Sequence, residues 1–150
     1  MKWIANRICL LALFFFLVSD ILLHAQQSRW LPYAPTTVEL RGKMLKVVKY
    51  GPPGYGENPK SDAKYQIPML LLVEPARVKG NSTSPVNKQD LTNVSFVQLI
   101  FLNTRANEYW RYVDLEIIAT GTLFRAETGH HYTDLLMEVR TIRTAEKRKK

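Results

Sequence analysis

Val38-Glu39-Leu40-Arg41-Gly42-Lys43-Met44-Leu45 and Ile117-Ile118-Ala119-Thr120-Gly121-Thr122-Leu123-Phe124 share one shape, an apolar-alternating stretch with a glycine in its middle. In the first, Val38, Leu40 and Met44 fall on one face and Glu39, Arg41 and Lys43 on the other, the period of a half-buried strand. A glycine inside a strand costs stability and packs nothing, so it marks a sharp coil or a bulge. Small five-stranded barrels need such corners so that one strand can pair in both halves of the sheet. The shape therefore predicts an all-β domain, a five-stranded OB-like barrel, with an open β-sandwich as the alternative.

The remaining strands are read outward from these two. Strand character at 37–45 continues through Val47 and Val48 to Tyr50, and Gly51-Pro52-Pro53-Gly54-Tyr55-Gly56-Glu57-Asn58-Pro59 then excludes helix and central strand alike. Pro68-Met69-Leu70-Leu71-Leu72-Val73-Glu74 is apolar on both faces, as expected of a strand crossing a closed or covered sheet. Pro75 closes it, with Ala76-Arg77-Val78 placed to resume pairing after a bend. Lys79 to Asp90 is polar and aperiodic, an exposed loop. A third strand spans 94–102, dense in β-branched and aromatic residues. Tyr109, Trp110 and Tyr112 fit a short helix or turn that plugs one end of a barrel. The fourth strand is 114–124. The fifth, 134–142, sends Leu135, Met137 and Val139 one way and Glu138 and Arg140 the other.

The chain begins with a different signal. Lys2 and Arg7 precede the apolar run from Ile8 to Val18, and Leu23-His24-Ala25 ends in a small residue, the pattern of a cleavable secretory signal peptide over 1–25. Asp20 interrupts the run before the ~20 residues of a spanning helix are reached; an uncleaved membrane anchor is the alternative. Cleavage leaves an irregular lead-in (26–36, with Pro32 and Pro35), a single domain (37–144) and a basic tail (145–150). The only cysteine, Cys9, leaves with the signal, which excludes thiolate chemistry, disulfides and cysteine-ligated metals from the mature domain. The formal net charge of +8 falls to about +7, since Lys2, Arg7 and Asp20 leave together. A basic, periplasmic or secreted domain favours an acidic ligand, an acidic glycan or an acidic face of an envelope protein. Nucleic acid fits the charge but not the compartment.

From Gly121 to Thr133 the sequence reads Gly-Thr-Leu-Phe-Arg-Ala-Glu-Thr-Gly-His-His-Tyr-Thr. This stretch resembles the signature of an uncharacterised bacterial family, the domain of unknown function numbered 4431 (DUF4431), which typically reads G-T-L-F-x-A-x-T-G-H-H-H-T. Gly51-Pro52-Pro53-Gly54-Tyr55 resembles the same family's Gly-Pro-rich stretch after the first strand. The resemblance covers roughly 38–142, and Tyr132 stands where the family pattern has a third histidine. It implies a secreted or envelope-associated domain and brings no known activity.

No catalytic constellation is visible. Ser61, Ser82, Ser84 and Ser95 lack a nucleophile-elbow setting, and the Gly-Pro stretch lacks the lysine and following helix of a phosphate loop. The expectation is a non-enzymatic module without a cofactor. In OB-like barrels the first long loop and the loop between strands four and five converge over one sheet face. Here loops 51–66 and 125–134 would bring Tyr50, Tyr55 and Tyr65 toward His130, His131 and Tyr132, with Lys60, Lys64 and Arg125 nearby. Aromatic rings interleaved with cations stack on sugars and pair with acidic groups. A metal site on His130 and His131, completed by Glu127 and Asp134, is an alternative. A third reading has one histidine donating to a backbone carbonyl at the barrel end and the other solvated. A structural accessory of a larger envelope assembly also remains open.

Overall fold

The computed structural model describes residues 29–102 and 108–145, and every element lies in the unit that begins at Leu31. The signal segment and residues 146–150 of the basic tail lie outside the described residues. The fold is all-β. Strands β1 (Leu31–Pro32), β2 (Thr37–Tyr50), β3 (Lys64–Lys79), β4 (Leu91–Ile100), β5 (Glu116–Arg125) and β6 (Leu135–Thr144) form one mixed sheet in the order β1-β3-β2-β5-β6-β4. A further pairing joins β4 back to β3. β1 with β3 and β4 with β6 are parallel, and the other pairs are antiparallel.

Both mid-strand glycines sit where the sheet turns. Residues 42–50 of β2 pair with β3 and residues 37–43 with β5, so Gly42 lies at the handover, opposite Leu72 on one side and Ile117 on the other. A Cβ there would stand 2.9 Å from the Leu71 carbonyl carbon and nearer still to its oxygen. Gly121 marks a bulge: Thr120 lies opposite Thr141 but Gly121 opposite Val139, which skips Arg140. A Cβ at Gly121 would stand 3.0 Å from the Glu138 carbonyl carbon, again with the oxygen nearer. In both places the absence of a side chain lets a neighbouring backbone approach.

Met44, Leu70, Val97, Leu99, Ile117, Leu123, Leu135 and Met137 are fully buried and form the core. Each such aliphatic side chain contributes about 2 kcal/mol through the surface it removes from water. A second apolar row lies on the opposite face of the strands. Leu45, Met69, Gln98, Leu136 and Phe124 are successive cross-strand neighbours. Met69, Gln98 and Leu136 in this row are buried yet stand apart from the core cluster. The loop after β5 meets this row at Gln98, through bonds to Thr133, His130 and Tyr132. Further along the same face of β3 Leu71 is half-buried and Val73 is exposed, so the apolar run at 68–74 is covered on its outer face only at its start.

The structure corrects several boundaries. The lead-in expected to be irregular supplies β1, and Tyr33 beside it is a core residue, 3% exposed. Its place is held by the Ala34 N–H donating to the Leu123 carbonyl at 2.8 Å. Burial pushes the Tyr33 phenol above its ordinary range, with a smaller lowering by Arg125 and a smaller raising by Asp90. β3 is longer than 68–74. Residues 64–67 extend it back along β2, and the resumption expected after Pro75 occurs as Ala76 opposite Val94, beyond a register shift that starts after Leu71. The aromatic segment forms a 3-10 turn, Trp110–Tyr112. It leans on the core with Tyr109, which stacks on Phe101 at 3.6 Å between ring centroids.

Candidate functional site

The end of β2 and the start of β3 carry a crossed set of lysines and tyrosines. Lys49 lies opposite Tyr65, and Tyr50 opposite Lys64. Alternation puts each pair on its own face of the hairpin. On one face the loop 126–134 folds back to meet them: the His130 ring sits edge-on to Tyr65 at 6.3 Å, and Lys49 Nζ lies 5.8 Å from the Tyr132 ring centre. On the other face Lys64 Nζ lies 5.8 Å from the Tyr50 ring, and further down β2 Lys46 Nζ lies 4.8 Å from Trp110. Among the described residues, Lys46, Lys49 and Lys64 have no carboxylate in ion-pair reach, unlike Arg41, Lys43, Lys79 and Arg143.

One buried side chain fastens the 126–134 loop to the sheet. Gln98, 5% exposed, accepts from the Tyr132 N–H at 2.7 Å through Oε1 and donates to the His130 carbonyl at 3.2 Å through Nε2. Its own N–H donates to Thr133 Oγ1 at 3.0 Å. His131 stabilises the start of the loop. Its Nδ1 accepts from the Glu127 N–H at 2.8 Å and the Thr128 N–H at 3.3 Å, and its ring meets Phe124 edge-on at 5.8 Å. His131 Nδ1 is thus an acceptor of backbone donors rather than a donor to a carbonyl. Among the described residues no group of three or more His, Cys, Asp or Glu is placed to hold a metal.

The other loop is organised by Asp62, a residue that sequence reading passed over. Its carboxylate accepts from Gly54 N–H (2.8 Å), Gly56 N–H (2.8 Å) and Asn58 N–H (3.1 Å), while the Gly51 N–H donates to the Ala63 carbonyl (2.8 Å). Gly51 also lets the Tyr65 ring pack against the backbone. Tyr55 takes φ +52° in this loop and is 72% exposed, clear of the Tyr65 cluster in the contacts recorded. A short Asp some ten residues after a glycine-rich turn was the available sequence signal, since carboxylates favour loops rich in free N–H groups.

Burial of Asp62 works against its charged form, but the three backbone donors outweigh that effect and hold its carboxyl below the ordinary carboxylate range. A folded-state value below the unfolded one gives stability that is fully present above about pH 4, the range of a free Asp, and is lost as pH falls through the lower, folded value. Acidification from about pH 5 to pH 2 is therefore expected to release loop 51–63. Asp62→Asn, which turns an NH2 toward N–H donors, is expected to release it at neutral pH. Hydrogen exchange at the Gly54, Gly56 and Asn58 amides, taken relative to the intrinsic rate at each pH, reads both, and equal protection in variant and wild type at pH 7 would count against the assignment.

Arg125 does not join this cluster. Its N–H donates to Asn87 Oδ1 (3.0 Å) and its Nη1 to Gln89 Oε1 (2.8 Å), which ties it to loop 80–90. That loop is in turn closed by Asp90, which accepts from Lys79 Nζ and the Gly80 N–H. Lys79 first, and Gly80 with it, lower the Asp90 carboxyl. Of the residues singled out in the sequence, the structure therefore gathers Tyr65, His130 and Tyr132 around Lys49. Tyr50 and Lys64 lie on the reverse face, His131 and Glu127 are engaged within the loop, and Lys60 and Asp134 are exposed.

No match was found among the curated proteins or the solved structures. The family match begins in β4, so the Gly-Pro stretch at 51–55 lies outside it and the resemblance is narrower than 38–142. Residues 96–143, from within β4 to the penultimate residue of β6, match the family described as Domain of unknown function (DUF4431).

Proposed function

We propose that the chain is an extracytoplasmic, non-enzymatic binding module, an OB-like barrel that holds an anionic ligand between loops 51–66 and 125–134. The barrel reading is supported by the return pairing of β4 to β3 and by the glycine corners in β2 and β5. Export is supported by the basic and apolar pattern of residues 1–25. The observation that carries the reading is Lys49 of β2, without a carboxylate partner among the described residues, set beside Tyr65 of β3 and beneath His130 and Tyr132 of the 126–134 loop. A cation amid aromatic faces offers charge pairing and stacking to one ligand, as an acidic glycan or an acidic protein face would require.

The reading is tested by retention on immobilised polygalacturonate against neutral dextran. Wild type is expected to be held on the acidic matrix and released as salt rises from about 0.05 to 0.5 M, because exposed charge pairs are screened. The double variant Lys49→Ala with Tyr65→Ala is expected to elute as it does from dextran. Equal retention of the two proteins, or no preference for the acidic matrix, removes the reading for glycans.

A further inference from the structure

The pairing of β3 with β4 ends at Met69 opposite Gln98, and the chemistry of one residue explains why. The Gly51 N–H donates to the Ala63 carbonyl, and Met44 turns its N–H and C=O away from β3 to Leu115 and Asp114. Together these set the alternation along the β2–β3 ladder. In the stretch 63–69 of β3, odd-numbered residues turn their backbone groups to β2. Lys64, Gln66 and Pro68 turn theirs to the opposite side, where β4 would lie. Continuing the register past Met69 would place Pro68 opposite Leu99, in a position that requires an N–H that proline lacks. The ladder stops there, and a cleft of about 290 Å³ opens between the strands. Gln66, Pro68, Leu99, Phe101, Tyr109 and Trp110 are among its walls.

The edge of β3 along this cleft offers the N–H and carbonyl groups of Lys64 and Gln66, with no strand paired to them on that side among the described residues. We infer that this edge receives an extended acidic peptide segment of a partner protein, which adds a strand to β3. Backbone pairing would supply affinity, and alternate side chains of the guest would point to the two faces of the sheet. One set would reach Lys49, Tyr65 and Tyr132, and the other Lys46, Lys64 and Trp110. Both faces present lysines without carboxylate partners among the described residues, so an acidic guest is favoured on either side. The same charges discourage self-pairing of this basic chain, the usual defence of an open edge. The inference takes the sign of the ligand's charge from the binding face proposed above. It adds that the ligand is a peptide and that its backbone is what is read.

The experiment uses a ten-residue peptide alternating glutamate with valine, and two twins, each with N-methyl groups on one of the two sets of alternate backbone nitrogens. Strand addition predicts that the plain peptide binds, that the amides of Lys64 and Gln66 exchange at least tenfold more slowly in the complex, and that the twin methylated on the pairing side binds at least tenfold more weakly. Gln66→Pro removes only an N–H turned to the cleft. It is expected to keep the wild-type melting temperature within a few degrees and to lose the peptide. Ile67→Pro, whose N–H belongs to the β2 ladder, is expected to lower the melting temperature sharply, which checks the alternation independently. If both methylated twins, one for each set of alternate nitrogens, bind as well as the plain peptide, or if Gln66→Pro binds as wild type, strand addition is wrong while the anionic face survives. If no peptide binds but polygalacturonate does, the guest is a glycan and the inference falls. If neither binds, both readings fall.

Discussion

Gly42→Ala should be among the most damaging single-methyl changes available in this protein, with an expected loss of roughly 3 kcal/mol or more. The new Cβ would press on the Leu71 carbonyl, which is backbone inside a ladder and cannot rotate away as a side-chain tip could. Relief requires β2 to separate from β3 where β2 also begins to pair with β5, so the strain spreads into both halves of the sheet. For a domain of this size the loss corresponds to a fall in melting temperature on the order of 10 °C. Gly129→Ala is the matched control, since a Cβ there meets nothing within 4 Å, and it should melt with the wild type. Thermal unfolding followed by circular dichroism decides the matter. A Gly42→Ala protein within about 2 °C of wild type would mean that the strands are not as close as described.

Gln98→Leu comes next in size. The substitution suits the burial of the position but leaves the Tyr132 N–H and the His130 carbonyl without the partner that both now share. An unsatisfied buried polar group costs about 1–3 kcal/mol; Tyr132 is half-buried and His130 is exposed, so its carbonyl can turn to water, and a loss of about 1–3 kcal/mol is expected. The loss should be local in character. Amide exchange at Tyr132 should accelerate far more than at Leu70 or Val97 in the core, and the loop should lift from the sheet. Since Tyr132 and His130 belong to the proposed anionic face, retention on polygalacturonate should fall together with loop protection. Uniform destabilisation with the loop amides unchanged relative to the core would show that Gln98 is a packing residue and not the fastener of the loop.

The physical difference between these two predictions is also the difference between what could and could not be read in advance. Gly42 and Gly121 were legible because a strand glycine has few explanations: alternation is a local property, and its interruption reports on the backbone alone. The same holds for the Gly-Pro segment, which excludes regular structure whatever surrounds it. Gln98 was not legible. Within Val94 to Leu102 it reads as one polar residue on a solvent-facing side, and only the loop returning 34 residues further along the chain makes it buried. Tyr33 escaped for a similar reason, since neighbouring prolines at 32 and 35 argue for irregular backbone and say nothing about where an adjacent ring is packed.

The candidate face divides along the same line. Residue types and loop assignments could be taken from the sequence, so Tyr65, His130 and Tyr132 were named together. Their separation from Arg125 could not be foreseen, because Arg125 is claimed by Asn87 and Gln89 from a loop whose sequence has no periodicity. Nothing local marks Lys46 or Lys49, and their placement beside rings depends on strand register. The sequence by itself determined the all-β class, the corners at Gly42 and Gly121, and the loops that carry the candidate residues, because alternation, chain-breaking residues and missing side chains act within a few residues. The tertiary structure alone decided which lysines lack a carboxylate, what bonds to Gln98, and where Pro68 ends a ladder and leaves an edge open, because each of these is set by a neighbour far away in the chain.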